Sequence, residues 1–216
     1  MFKSRYTLNQ SPVYVSDHMS GKLEGIPAIS TSVLLNPICQ ARAKDPDSVC
    51  AKCFAMNTVN RYKDLRHHLE ENTEALTKPL ALNDLPRFAL NVGFVREEAF
   101  GDTQNVTQAI NYINIAMVNP STRVTVWTKN PKHYMFALEE VEKPENLTII
   151  YSSPHLNKED AYILERYPFI DKVFTVYTDD YIKEHGIEIN CGGRKCVACG
   201  RCYLKNDERF IRERLK

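Results

Sequence analysis

Between about residues 85 and 185 the chain alternates short apolar runs with segments of helical period, and this alternation restricts the fold more than any other feature. At 87–95, Phe88, Leu90, Val92 and Phe94 occupy every second position, the period of a strand. Residues 105–118 carry Val106, Ile110, Ile113 and Met117 on one helical face and stop at Asn119-Pro120. Further strands are predicted at 123–128, 146–153 and 171–177. A helix at 131–141 has Pro131 in its first turn, and a short one at 179–185 is closed by Gly186. Units of this kind build a mostly parallel sheet. Runs as continuously apolar as LTIIY suit strands covered on both faces.

Sites in such sheets gather at the carboxyl ends of strands. Gly101-Asp102, Thr128-Lys129-Asn130, Ser152-Ser153 and Thr178-Asp179 stand there. Asp102 is a candidate catalytic group or a helix cap. Lys129 is a candidate anion-binding group or a surface lysine. Trp127 and Tyr151 suit core or pocket wall.

The flanks are less regular. A short strand is predicted at 32–35, a loop at Asn36-Pro37, and one helix over 54–76 with Phe54, Val59, Tyr62, Leu65, Leu69 and Leu76 at ragged helical spacing. Beyond Gly186 the chain turns cysteine-, glycine- and arginine-rich, then charged, and a helix is predicted at 206–216. The expected organisation is an α/β domain at 1–186 and a cysteine-rich segment at 187–216.

All seven cysteines lie in two groups, with none between Cys53 and Cys191. A length of 216 residues with 43% hydrophobic and 25% charged residues is ordinary for a globular chain. No apolar run approaches the roughly 20 residues of a membrane helix, and the N-terminus has no signal-peptide pattern. The expected location is therefore the cytosol. There, disulfides are disfavoured and clustered thiols point to metal.

The C-terminal group is Cys191-x4-Cys196-x2-Cys199-x2-Cys202. Serial spacing of this kind suits a 4Fe–4S cluster, whereas zinc sites pair two knuckles across a longer spacer. Gly192, Gly193 and Gly200 let the loop turn tightly. The N-terminal group, Cys39-x10-Cys50-x2-Cys53, offers three thiolates on a loop entering a helix. Three protein ligands on a cluster leave one iron open to a substrate or cofactor. The alternatives are a Cys50/Cys53 redox pair, or a structural zinc site completed by His67 or His68.

A net charge of +1 gives no overall pull toward nucleic acid or membrane. Arg194, Lys195, Arg201, Lys205, Arg209, Arg212 and Arg214 nevertheless gather near the tail. They would meet nucleic acid, or balance Glu208, Glu213 and the thiolates.

The series Cys50-Ala51-Lys52-Cys53-Phe54-Ala55, FGD, VWTKN, IIYSSP, DKVFTVY and the terminal cysteine run resembles a family of small phage and prophage gene products over about residues 30–205. The first half is also similar to radical S-adenosylmethionine proteins, which implies a partial (β/α) barrel. On that resemblance Cys39, Cys50 and Cys53 hold the cofactor-binding cluster and Gly101-Asp102 occupies the region that meets the S-adenosylmethionine amino group. Cys191, Cys196, Cys199 and Cys202 hold an auxiliary cluster. The spacing differs from that family's Cx3Cx2C, Lys52 stands where an aromatic residue is expected, and Gly101-Asp102 replaces a GGE triplet. The expectation is an iron–sulfur protein of radical type with an unidentified substrate and an electron donor. The alternative is a non-catalytic iron–sulfur or zinc protein, an accessory protein associated with nucleic acid.

Overall fold

The structure, a computed structural model, describes residues 1–215. Six strands form one open sheet in chain order: β1 (Ala28–Ile29), β2 (Phe94–Glu97), β3 (Arg123–Thr128), β4 (Leu147–Ser152), β5 (Lys172–Tyr177) and β6 (Phe210–Arg214). Every neighbouring pair is parallel. The connections carry α1 (Pro37–Ala43), α2 (Phe54–Arg61) and α3 (Lys63–Leu76), then α4 (Val106–Met117), α5 (Pro131–Glu140) and α6 (Ile163–Arg166). Between β5 and β6 come α7 (Asp179–His185) and α8 (Cys196–Cys199).

Parallel crossovers of one hand between sequential strands return on the same face of a sheet, and the helices up to β5 follow that rule while the last connection does not. Val95, Val124, Val126, Leu147, Ile149 and Val173 point into the main core against Leu76, Tyr112, Ile113, Tyr134 and Ala137 of the helices. Each such side chain removed from water contributes about 1.5–3 kcal/mol. The alternate positions, Phe94, Trp127, Ile150 and Phe174, face the other way and meet Ile26, Cys196, Cys202 and Tyr203. The helices thus cover one face, and the cysteine-rich connection covers the other, here called the interior face.

β3, β4 and β5 fall where the apolar runs predict them. α4 is initiated by the Asn105 side chain, which accepts from the Gln108 N–H at 2.8 Å. α7 ends on Gly186 in the left-handed region, at φ 63°.

Elsewhere the structure corrects the expectations. The strand expected at 32–35 is a turn, and the true first strand is two residues long and lies earlier. Ser30 diverts the chain there, its hydroxyl accepting the Ala99 and Phe100 N–H groups. The strand expected at 87–95 begins only at Phe94; before it the chain is largely irregular, with Phe88 and Val92 buried but Leu90 86% exposed at a turn. The single helix over 54–76 is two, parted at Tyr62, whose backbone leaves the helical region. The helix expected at 206–216 is a strand over Phe210–Arg214, with Ile211 fully buried; Lys216 lies outside the described residues. β5 provides five paired positions for it, from Val173 opposite Phe210 to Tyr177 opposite Arg214, and that tertiary pairing overrides local helix propensity. The chain before Cys191 folds back along the outer side of β6. The Asn190 side chain accepts from the Arg212 N–H at 2.8 Å, and the Cys191 N–H donates to the Arg212 carbonyl at 3.0 Å.

Candidate thiol centres

Asp102, just beyond β2, is joined to the carboxyl end of β3. It is buried, and its carboxylate accepts from the Thr103 N–H (2.9 Å), the Thr128 hydroxyl (2.8 Å) and the Lys129 N–H (3.0 Å). Arg42 of α1 lies 3.8 Å from the same carboxylate and also donates to the Lys129 carbonyl at 2.9 Å. Lys129 extends its ammonium to the Ser152 hydroxyl at 3.0 Å. Asp102 therefore fastens strand ends and α1 together, and Lys129 continues the chain of contacts to β4. Gly101 is held at φ +70°, and a Cβ there would stand 2.6 Å from the Thr31 carbonyl oxygen and 2.8 Å from Glu98 Oε2.

Cys39, Cys50 and Cys53 belong to this same edge. Cys39 sits in α1, whose start is fixed by Asn36, the capping side chain, and Pro37 at the first helical position. Cys50 lies in a single 3-10 turn, its N–H donating to Ser48 Oγ at 3.1 Å. Cys53 caps α2. The ten-residue spacer is ordered: after α1 it docks on the loop beyond β4, where Ser48 Oγ and the Val49 N–H both donate to the Pro154 carbonyl, at 3.0 and 2.8 Å. Cys39 and Cys53 pack beside Val33, Ala55, Val59, Leu69 and Phe100. Burial raises the Cys39 thiol pKa well above its usual range. The charges of Asp102 and Glu98 add to this, and Lys129 opposes it. An open cleft of about 520 Å³ lies between the spacer, at Pro46 and Asp47, and residues 155–158 after β4.

Of the C-terminal four thiols, Cys196 and Cys202 pack on the interior face, Cys191 lies beside β6 and Cys199 is exposed. Cys191 bridges to Glu213 of β6, and Lys22 Nζ stands 3.7 Å from its sulfur while also pairing with Glu213. Cys196 and Cys199 open and close α8, which ends on Gly200 at φ 64°. Cys202 follows, and the Thr125 hydroxyl donates to its carbonyl at 3.2 Å. The Cys202 thiol is pushed up to about 12, chiefly by burial, with Arg96 opposing and the nearby Cys191, Cys196 and Cys199 adding to it. Lys172, buried beside the same loop, donates to Asn206 Oδ1 (2.5 Å) and the Glu208 carbonyl (2.8 Å).

All seven cysteines are free thiols. Among the described residues, no three His, Cys, Asp or Glu side chains are arranged to hold a metal ion. The donor chemistry of both groups nonetheless fits a thiophilic metal or an iron–sulfur cluster, because all-thiol sets select these over hard cations. His67 and His68 stand apart from the thiols: His67 is 3.5 Å from Glu71, and His68 stacks on Tyr14 with ring centroids 4.0 Å apart. Much of the basic tail is engaged within the chain. Lys195 pairs with Glu24, Arg201 with Glu208, Arg212 with Glu159 and Arg214 with Asp179, and Arg209 donates to the Ile170 and Asp171 carbonyls.

Sequence reasoning missed Asn36, Arg42, Arg96 and Glu98. Asn-Pro before the first cysteine is a capping signal that could have exposed α1, and Arg96 is a charge inside an apolar strand. Glu98 gives no such signal, because its role depends on a left-handed backbone (φ 56°).

No helix of the described residues is long and apolar enough to cross a membrane. Comparison with curated proteins and with solved structures gave no match. The model of one protein family, Gene product 88, matches residues 19–211. The chain, with its parallel sheet and two cysteine groups, belongs to the phage-type Gene product 88 family.

Proposed function

We propose that the protein is an iron–sulfur protein of radical S-adenosylmethionine type, with its open sheet acting as a partial (β/α) barrel. Cys39, Cys50 and Cys53 would hold an open cluster, and Cys191, Cys196, Cys199 and Cys202 a closed auxiliary one. The observation that carries this reading is a group of three free thiols near the carboxyl edge of a parallel sheet, with a second group of four in the connection that packs Cys196 and Cys202 on its interior face. When bound, the open cluster would supply one-electron chemistry, the reductive cleavage of S-adenosylmethionine with an electron from an external donor. The residues of the chain orient and enclose. Asp102 and Arg42 fix α1, and hence Cys39, against the strand ends. The spacer docked on Pro154 holds the chain between Cys39 and Cys50 in place.

A second reading, a non-catalytic zinc protein, is favoured by the tight turn of Cys196, Cys199 and Cys202 around Gly200, since four thiols also close a structural zinc site. Iron, sulfide and zinc content per chain after anaerobic purification separates the two. About eight irons per chain supports two clusters, and stoichiometric zinc without iron removes the radical reading.

A further inference from the structure

The interior face of the sheet is apolar at Phe94, Trp127, Ile150 and Phe174, yet Arg96 stands in the same row. Its guanidinium carbon lies 3.2 Å from the centroid of the Trp127 ring, and Trp127 and Tyr203 lie edge to face at 6.0 Å. Among the described residues Arg96 has no ion pair. The hydrogen bond that its guanidinium donates to the Glu98 carbonyl is long at 3.4 Å. The adjacent Glu97 is fully buried and, by strand alternation, belongs to the opposite face. Arg96 Nε and Tyr203 Oη are both sealed from solvent. Neither makes a hydrogen bond of good geometry, although guanidinium and phenol are neighbours. A buried guanidinium with no ion pair is costly. An apolar residue at position 96 would suit this wall better, unless the wall meets an anion. The groups over it are Cys196 and Cys202.

We propose that Arg96 is a positioning residue of the C-terminal thiol centre: clamped on Trp127, it supplies the buried positive charge, and with Tyr203 the donors, that thiolates of Cys191, Cys196, Cys199 and Cys202 require when they ligate a metal. The inference rests on the metal-thiolate reading of those four cysteines. It gives the centre a cation on the sheet side, while Lys22 meets Cys191 from the rim. Four thiolates on one divalent ion or one cluster leave a net negative charge, which a buried cation offsets. A purely structural strut would need only the ring contact.

The test uses the full chain with Cys39, Cys50 and Cys53 replaced by serine, so that only the C-terminal thiols report. Cobalt(II) is titrated under reducing, anaerobic conditions and followed by the thiolate-to-cobalt absorption. Arg96→Met should weaken cobalt binding about tenfold or more, and Arg96→Lys should recover most of it. Equal cobalt affinity in Arg96→Met and its parent overturns the inference and leaves the metal-thiolate reading standing. A parent without any thiolate-to-cobalt band removes both. A lowered melting temperature with cobalt affinity intact assigns Arg96 to the strut and also overturns the proposal. Should Arg96→Met fail to fold, Arg96→Lys and Arg96→Gln are compared, and equal affinity in these two is the overturning result.

Discussion

Asn36 ties the first cysteine helix to the sheet by using both ends of its side-chain amide: its nitrogen donates to the Asp102 carbonyl at 2.7 Å, and its oxygen accepts the Ile38 and Cys39 N–H groups at 3.0 and 3.3 Å. The residue is fully buried, so no water replaces these partners when it is removed. Asn36→Ala is expected to cost about 2 kcal/mol from the lost cap and the orphaned groups. Urea unfolding at neutral pH measures it, and a loss below about 0.5 kcal/mol would show that Asn36 does not anchor α1.

Gly101 is constrained twice, by a positive φ and by the Thr31 carbonyl and Glu98 carboxylate that crowd its missing Cβ. Gly101→Ala should destabilise by roughly 3 kcal/mol. A melting temperature equal to that of the parent protein would contradict the described path of the chain after β2.

Glu98 is surrounded by donors, taking hydrogen bonds from Thr31, Gln108 and Tyr112. Burial still outweighs them and raises its pKa to about 7. A carboxyl with a folded pKa above its unfolded one contributes stability in full below the unfolded value, and loses it as pH rises through the folded one. The Glu98 contribution therefore declines between about pH 4.5 and 7, by on the order of 3 kcal/mol. Unfolding free energies measured across that window should flatten in Glu98→Gln; an unchanged slope would assign the pH dependence to other groups.

Ile211 is fully buried in β6. Ile211→Ala should cost about 2–4 kcal/mol, whereas a helix at 206–216 lying on the surface would give a much smaller effect. Chemical denaturation distinguishes them.

Cys199 is exposed and packs little. In metal-free protein Cys199→Ser should change stability by less than about 0.5 kcal/mol. In metal-loaded protein the same substitution should lower the melting temperature, because a ligand's binding free energy adds to folding. Equal effects in the two states would count against Cys199 as a ligand.

The legible parts of the fold were those whose pattern is local. Val124, Val126, Leu147 and Ile149 lie in continuous apolar strands, and Asn105 and Gly186 mark helix ends by their own chemistry. What could not be read depends on distant partners. β1 is too short to carry a period, β6 becomes a strand because β5 is beside it, and Leu90 is exposed although its alternation partners Phe88 and Val92 are buried. The cysteine spacing identified both candidate thiol groups. Sequence offered no means of seeing that Arg96 and Trp127 form the floor beneath one of them, since that depends on which face of the sheet the last connection crosses.

β6 is an edge strand, and an edge presents unpaired N–H and C=O groups to any other extended chain. Asn190 and Cys191 fold over that edge and take part of its hydrogen-bonding capacity. The segment that gathers the thiols is thus also a guard against self-association. Loosening it would open a template for intermolecular strand pairing, so the solubility of the protein and the integrity of its cysteine loop are bound together through a few backbone contacts at Arg212.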